Sequence, residues 1–168
     1  MIYIIDGYNV LHTHATHGIT REQLEDKRQS LVEDVINYTA STGDEAIIVF
    51  DSTGAENSEC NKVPNTAVTV CYSSASMIAD ILIGKLVQEK LSSTMAGIRV
   101  VSADWEVQRG SMMKRVERMT PRNFMEEIKK VEKKLAIPPE KGKMRWKLEH
   151  KVDVETWKKL EDMRRGRG

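Results

Sequence analysis

A chain of 168 residues, 40% apolar and 30% charged, is long enough to bury one core and has the ordinary balance of a folded soluble domain. No apolar run is long enough to span a bilayer, which excludes a membrane-spanning reading. The net charge of +1 conceals a division: residues 1–108 carry 7 Lys and Arg against 15 Asp and Glu, and residues 109–168 carry 19 against 10.

In chain order, Ile2–Ile5 reads as a short buried strand closed by Asp6-Gly7, and residues 10–19 read as a loop. Thr20-Arg21-Glu22-Gln23 has the form of a capping box, in which the hydroxyl and the Gln side chain each satisfy a free backbone N–H. The helix it opens places Leu24, Leu31, Val35 and Tyr38 on one face, and Gly43 can end it. Residues 46–50 form a second buried strand ending at Asp51, and residues 52–66, rich in Gly, Pro, Ser and Asn, read as a loop. A third strand follows over 67–72. Ser76 then caps a helix to about Leu91, with Ile78, Ile81, Leu82 and Leu86 expected in the core. Residues 98–102 are a fourth strand, and Thr120-Pro121 starts a helix whose Phe124, Ile128, Val131 and Leu135 form the apolar face. Met112, Met113, Met119 and Met125 are expected to fill gaps in the core. Pro138-Pro139 divides a domain over 1–137 from a basic extension over 138–168, with one helix from about Asp153 to Arg164 and a disordered end.

Strands alternating with helices predict an α/β fold with a central, mainly parallel sheet between helices. Cys60 and Cys71 form no CxxC and match no zinc spacing, which suits a reducing cytosol without a disulfide framework. Met1 runs straight into the first strand with no signal peptide, so the expected compartment is the cytoplasm.

Asp6, Asp51, Asp80 and Asp104 stand at strand ends or in a first helical turn. In a parallel sheet such ends open on one edge, where ligands bind. Carboxylates gathered there repel one another, and a hard divalent cation, Mg²⁺ or Mn²⁺, relieves the repulsion. A metal held so positions and activates water against a phosphodiester, which points to a metal-dependent nuclease. Asp-Gly is also a common turn, and Asp6-Gly7-Tyr8-Asn9 gains meaning from the other three aspartates. Tyr8 occupies the place where a haloacid-dehalogenase phosphatase needs a second Asp, and the GxGxxG of a dinucleotide fold is absent. A phospho-acceptor receiver would need a paired acid beside Asp6 and a late-strand Lys, and neither is evident. His12, His14 and His17 lack the spacing of a helical zinc site and fit a loop that meets substrate better. The basic last third suits a polyanionic partner, although a solvated Lys-rich surface explains it equally. Lys143, Arg145, Trp146 and Lys147 interleave cations with an aromatic ring, as for phosphates and one stacked base; packing of the Trp against the body is the plainer alternative.

Ile4-Ile5-Asp6-Gly7-Tyr8-Asn9-Val10, Val49-Phe50-Asp51, Ala79-Asp80-Ile81-Leu82-Ile83 and Val101 to Gln108 resemble the NYN domain, in its YacP-like branch, and Met119 to Ile128 resembles that family's last helix. The resemblance spans about residues 1–135 in order. It implies a PIN-like three-layer fold and an endoribonuclease that cleaves mRNA on the translating ribosome. It also implies that Asp6, Asp80 and Asp104 are the catalytic aspartates and hold Mg²⁺ or Mn²⁺. Asp51 joins the metal set, either touching the ion or supporting a residue that does. Asn9 orients the site or contacts RNA. Where the family has an acidic residue and a Thr before Ala79-Asp80, this chain has Met77 and Ile78; Ala103 replaces a Ser before Asp104. Those replacements weaken the ligand shell and leave a second expectation open: a non-catalytic RNA- or ribosome-binding module. Oligomeric state is not legible in the sequence.

Overall fold

The computed structural model describes residues 1–13, 21–52, 57–74, 78–103 and 115–136. Among them the order is β1 (Ile2–Asp6), α1 (Gly7–His12), α2 (Arg21–Thr42), β2 (Glu45–Phe50), β3 (Glu59–Lys62), β4 (Val68–Tyr72), α3 (Ala79–Ser93), β5 (Ile98–Val101), β6 (Val116–Met119) and α4 (Pro121–Ala136). The strands form one six-stranded sheet in the order β3-β4-β2-β1-β5-β6. All neighbours run parallel except β3, which lies antiparallel on the edge against β4. The fold is α/β, as the alternation of strands and helices requires.

Side chains alternate across each strand, so each strand feeds two cores. Ile2, Ile4, Ile47, Val49, Ile98 and Val100 pack on α3 through Leu82, Ile83, Leu86 and Val87. Tyr3, Ile5, Ile48, Phe50 and Val101 pack on the other face against Leu31, Val35 and Tyr38 of α2 and Phe124 and Ile128 of α4. Right-handed crossovers account for this division. The chain steps from β1 to β2 through α2, then returns from β4 over β2 and β1 to β5 through α3. Opposite directions of travel place the helices on opposite faces.

A polar chain runs through the α2–α4 side. Arg99 donates to the Tyr3 hydroxyl at 2.9 Å, and Tyr3 and Tyr38 share a 2.8 Å hydrogen bond. Tyr38 donates in turn to Glu127 at 2.9 Å, which makes Tyr3 the donor to Tyr38. Burial first, then the bonds to Tyr3 and Glu127, push the Tyr38 phenol well above its ordinary range, so it keeps its proton.

Several elements differ from the sequence reading. Residues 7–12 are a helix where a loop begins in that reading, because the Asp6 side chain caps them. Residues 59–62 are an edge strand inside the expected loop. That strand sets Cys60 opposite Cys71, with 4.0 Å between Cα atoms, and the two are joined in a disulfide, which overturns the expectation of unpaired cysteines. Residues 116–119 add a strand that the sequence reading lacked. In α3 the buried positions are Ala79, Leu82, Ile83, Leu86 and Val87, whereas Ile78 and Ile81, expected in the core, are 59% and 52% exposed. The apolar stripe is therefore rotated by one residue, because a helix starting at Ala79 turns that side to the sheet. Gly43 ends α2 with a positive φ of 75°, as expected. Ser76, Thr20 and everything after Ala136 lie outside the described residues. Among the described residues no helix is long and apolar enough to cross a membrane.

Candidate active site

β1, β2, β4 and β5 end on the same edge. The register sets Asp6 opposite Val49 and Ile5 opposite Val101, so Asp51 and Ser102 leave the ends of the strands flanking β1. Alternation carries Asp6, Asp51 and Ser102 to the side of Ile4, Val49 and Val100, the side covered by α3. β1 also lies between β2, reached from β1 through α2, and β5, reached from β4 through α3, so the crossovers run in opposite directions on either side of it. In open α/β sheets, ligands bind at that switch point.

Asp6 is only 5% exposed. Its Oδ1 accepts from the Asn9 backbone N–H at 2.9 Å, and its Oδ2 accepts from the Asn9 side-chain amide. The same amide nitrogen lies 3.5 Å from the hydroxyl of the fully buried Ser102. Asn9 therefore holds both oxygens of the carboxylate. Gly7 is fixed by space and not by backbone freedom: a Cβ there would stand 2.2 Å from the Phe50 ring. Tyr8 packs edge-on against the same ring and accepts a 3.2 Å hydrogen bond from the buried Arg28 of α2.

Asp80 lies half-buried in the first turn of α3, a position where the helix dipole favours a carboxylate. Asp51 reaches from the end of β2 to the start of α3. Its Oδ1 accepts from the Ala79 backbone N–H at 2.7 Å and from the Ser73 hydroxyl at 3.0 Å. Asp104, His14, His17, Lys143, Arg145, Trp146 and Lys147 lie outside the described residues.

Among the described residues no three of His, Cys, Asp and Glu stand together so as to hold a metal ion. The donors on this side of the edge are carboxylate and hydroxyl oxygens, the hard set that suits Mg²⁺ or Mn²⁺ and not a thiolate metal. Asp6 and Asp80 fit such an ion by donor type. On the face of the sheet opposite α3, α4 exposes Arg122, Lys129, Lys130, Lys133 and Lys134 while Phe124 and Ile128 face the core.

Ser102 and Ser73 are site residues that the sequence reading missed. Ser102 carried a usable signal, since it follows the buried Val100-Val101 as Asp6 follows Ile4-Ile5. Ser73 carried none, because its partner is distant in sequence.

A mainly parallel sheet with α3 on one face, α2 and α4 on the other, and aspartates at the switch point is the PIN-like α/β architecture. The model of the YacP-like NYN domain matches residues 3–165 of this chain. The chain belongs to that family, which is nuclease-like. The match continues past Pro138-Pro139 and takes in most of the basic segment expected to lie outside it. The chain is similar to a Bacillus subtilis relative, the uncharacterized protein YacP, at 26% identity over 135 residues, 80% of this chain and 78% of that one. A crystal structure of Rae1 (YacP) from Bacillus subtilis is similar at a TM-score of 0.65 and 26% identity, covering 80% of this chain and 77% of the other. A point variant of that protein superposes at a TM-score of 0.66 with 24% identity and the same 80% of this chain covered, and bears on the fold alone.

Proposed function

We propose that the protein is a metal-dependent endoribonuclease that hydrolyses phosphodiester bonds in RNA, acting on mRNA in the context of the cytoplasmic ribosome. The observation that carries this reading is the Asp6 carboxylate, buried at the switch point and held through both oxygens by Asn9.

Asp6, Asp80 and Asp104 would hold Mg²⁺ or Mn²⁺. The ion, when bound, lowers the pKa of water and offsets charge on the scissile phosphate. Asn9 keeps the Asp6 oxygens in one orientation, which spares the reorganisation that a free side chain would need. The exposed cations of α4 offer contacts to flanking phosphates, with Lys143, Arg145, Trp146 and Lys147 as further contacts. Binding that rests on phosphate contacts weakens as salt rises.

RNA integrity in a translating bacterial extract tests the reading, with Mg²⁺ present and wild type set against Asp6→Asn. Discrete new RNA ends with wild type, absent with the variant, are expected. Intact RNA with both proteins, while both still bind RNA or ribosomes, would favour the second reading, a binding module whose site no longer cuts. Ile78 supports that alternative: it is exposed beside Asp80 where the family carries Thr, and its side chain has no oxygen to offer.

A further inference from the structure

We infer that Asp51 is a positioning residue, not a metal ligand: together with Ser73 it caps α3 from another strand and so fixes Asp80 at the edge. The inference rests on the nuclease reading for its functional meaning, and on hydrogen bonds for its structural content.

The first N–H groups of a helix have no partner inside the helix and must find one elsewhere. In α3 the capping position is held by Ile78, whose backbone is extended and whose side chain cannot accept a hydrogen bond. The Ile81 and Leu82 N–H groups both turn back to the Ile78 carbonyl, at 3.1 and 3.3 Å. Ala79 N–H instead meets Asp51 Oδ1 at 2.7 Å, across 28 residues of chain. A carboxylate at that place also meets the positive end of the helix dipole.

The same oxygen takes the Ser73 hydroxyl at 3.0 Å. Ser73 is almost fully buried, and its hydroxyl oxygen accepts from the Ser52 N–H at 3.2 Å while its own N–H donates to the Phe50 carbonyl at 2.9 Å. Ser73 thus ties the end of β4 to the end of β2 and steadies the carboxylate between them. At its other end α3 is held by Arg115, which donates to the Leu91 and Thr94 carbonyls at 2.7 Å each. With both ends fastened, the residue after Ala79 has little freedom, and that residue is Asp80. The alternative role, ligation by Asp51, would require its charge. Capping requires only an acceptor at Oδ1, which an amide supplies.

Asp51→Asn and Asp51→Ala therefore separate the two roles. Mn²⁺ affinity would be measured by titration, and hydrogen exchange at the Ala79 amide by NMR. Asp51→Asn is expected to keep Mn²⁺ affinity within about threefold of wild type and to keep Ala79 protected. Asp51→Ala is expected to lose at least about tenfold in both. Mn²⁺ binding lost in Asp51→Asn as fully as in Asp6→Asn would make Asp51 a ligand and overturn the inference. Unchanged Ala79 exchange in Asp51→Ala would overturn it as well. If Asp51→Ala does not fold, Ser73→Ala keeps the carboxylate but removes its support, and Ala79 exchange should still rise. A wild type that takes up no Mn²⁺ would sink the nuclease reading, with the capping still decided by Ala79 exchange.

Discussion

The molecule holds two polar assemblies that differ in chemistry. On the α2–α4 side, Arg99, Tyr3, Tyr38 and Glu127 form a line in which each hydroxyl gives one proton and receives another. A cation that also pairs with Glu117 begins that line and an anion ends it, so its charges meet partners within it. At the carboxyl edge, Asp6 accepts from the Asn9 backbone and side-chain N–H groups, and Asp51 from the Ala79 N–H and the Ser73 hydroxyl. A network whose charged ends are ion-paired holds helices to a sheet. The edge assembly instead fixes carboxylates at the end of the sheet, Asp6 against Asn9 and Asp51 against the start of α3.

The comparison breaks most sharply at Asp6. Asp6→Asn keeps the shape and an acceptor for the Asn9 N–H but removes the charge. RNA cleavage should fall by about a thousandfold, with the melting temperature nearly unmoved. An Asn variant that cuts at wild-type rate would make the edge another structural network. Gly7→Ala should act differently, through space: the new methyl meets the buried Phe50 ring, and relief requires the ring or the Asp6–Asn9 turn to move. Overpacking of this kind costs about 3 kcal/mol, so both the chemical-denaturation midpoint and cleavage should drop. Preserved stability with lost cleavage would place the strain in the turn alone.

The next effect belongs to the sheet edge. The Cys60–Cys71 bridge closes a loop of separation 11 between β3 and β4. A loop of that length gives about 2–3 kcal/mol of stabilisation in the chain-entropy view. A dithiol reductant should lower the denaturation midpoint accordingly, and Cys60→Ser should remove the response. On the α2–α4 side, Tyr38→Phe deletes the proton given to Glu127 and the oxygen that receives the Tyr3 proton. It should cost about 1–2 kcal/mol while leaving cleavage within about twofold. Loss of cleavage without loss of stability would mean that the two assemblies are coupled.

These assignments explain which parts of the structure were legible. Ile2–Ile5, Ala46–Phe50 and the faces of α2 and α4 are long apolar patterns, and burial against both layers enforces them. Asp6 and Asn9 were legible because three residues separate them, so a single turn joins them. α1 was missed because six residues carry too little periodicity, and its cap is the same Asp6 that reads as a strand end. β3 was missed because Glu59, Asn61 and Lys62 are polar, as an exposed edge tolerates, and only the register to β4 makes it a strand. The partners of Asp51 were beyond reach for a different reason: Ala79 and Ser73 meet it through the packing of α3 and β4, which no local pattern encodes. Ile78 and Ile81 were assigned to the core because helix phase depends on where the helix begins, and at that start the Ala79 N–H meets a partner 28 residues away, Asp51.

The smallest effect lies in a carboxylate that belongs to neither assembly. Asp34 sits half-buried on α2; burial first, then the charges of Glu132 and Glu33, push its pKa from the ordinary 3.8 to about 6. The folded protein therefore binds this proton more tightly than the unfolded chain. Between about pH 4 and pH 6 the folded state holds more protons, so this group makes stability fall as pH rises through that window. Below pH 3.8 both states are protonated and the penalty vanishes; above about 6 it is fully present. Solvent screening at a partly exposed site reduces it to about 1 kcal/mol. Asp34→Asn should then stabilise the protein by that amount at pH 7, read from denaturation midpoints, and by nothing near pH 3.5. Cleavage should not change at either pH. An equal gain at both pH values would show that the benefit is packing, and that an unbalanced acid on the α2–α4 side carries no cost there.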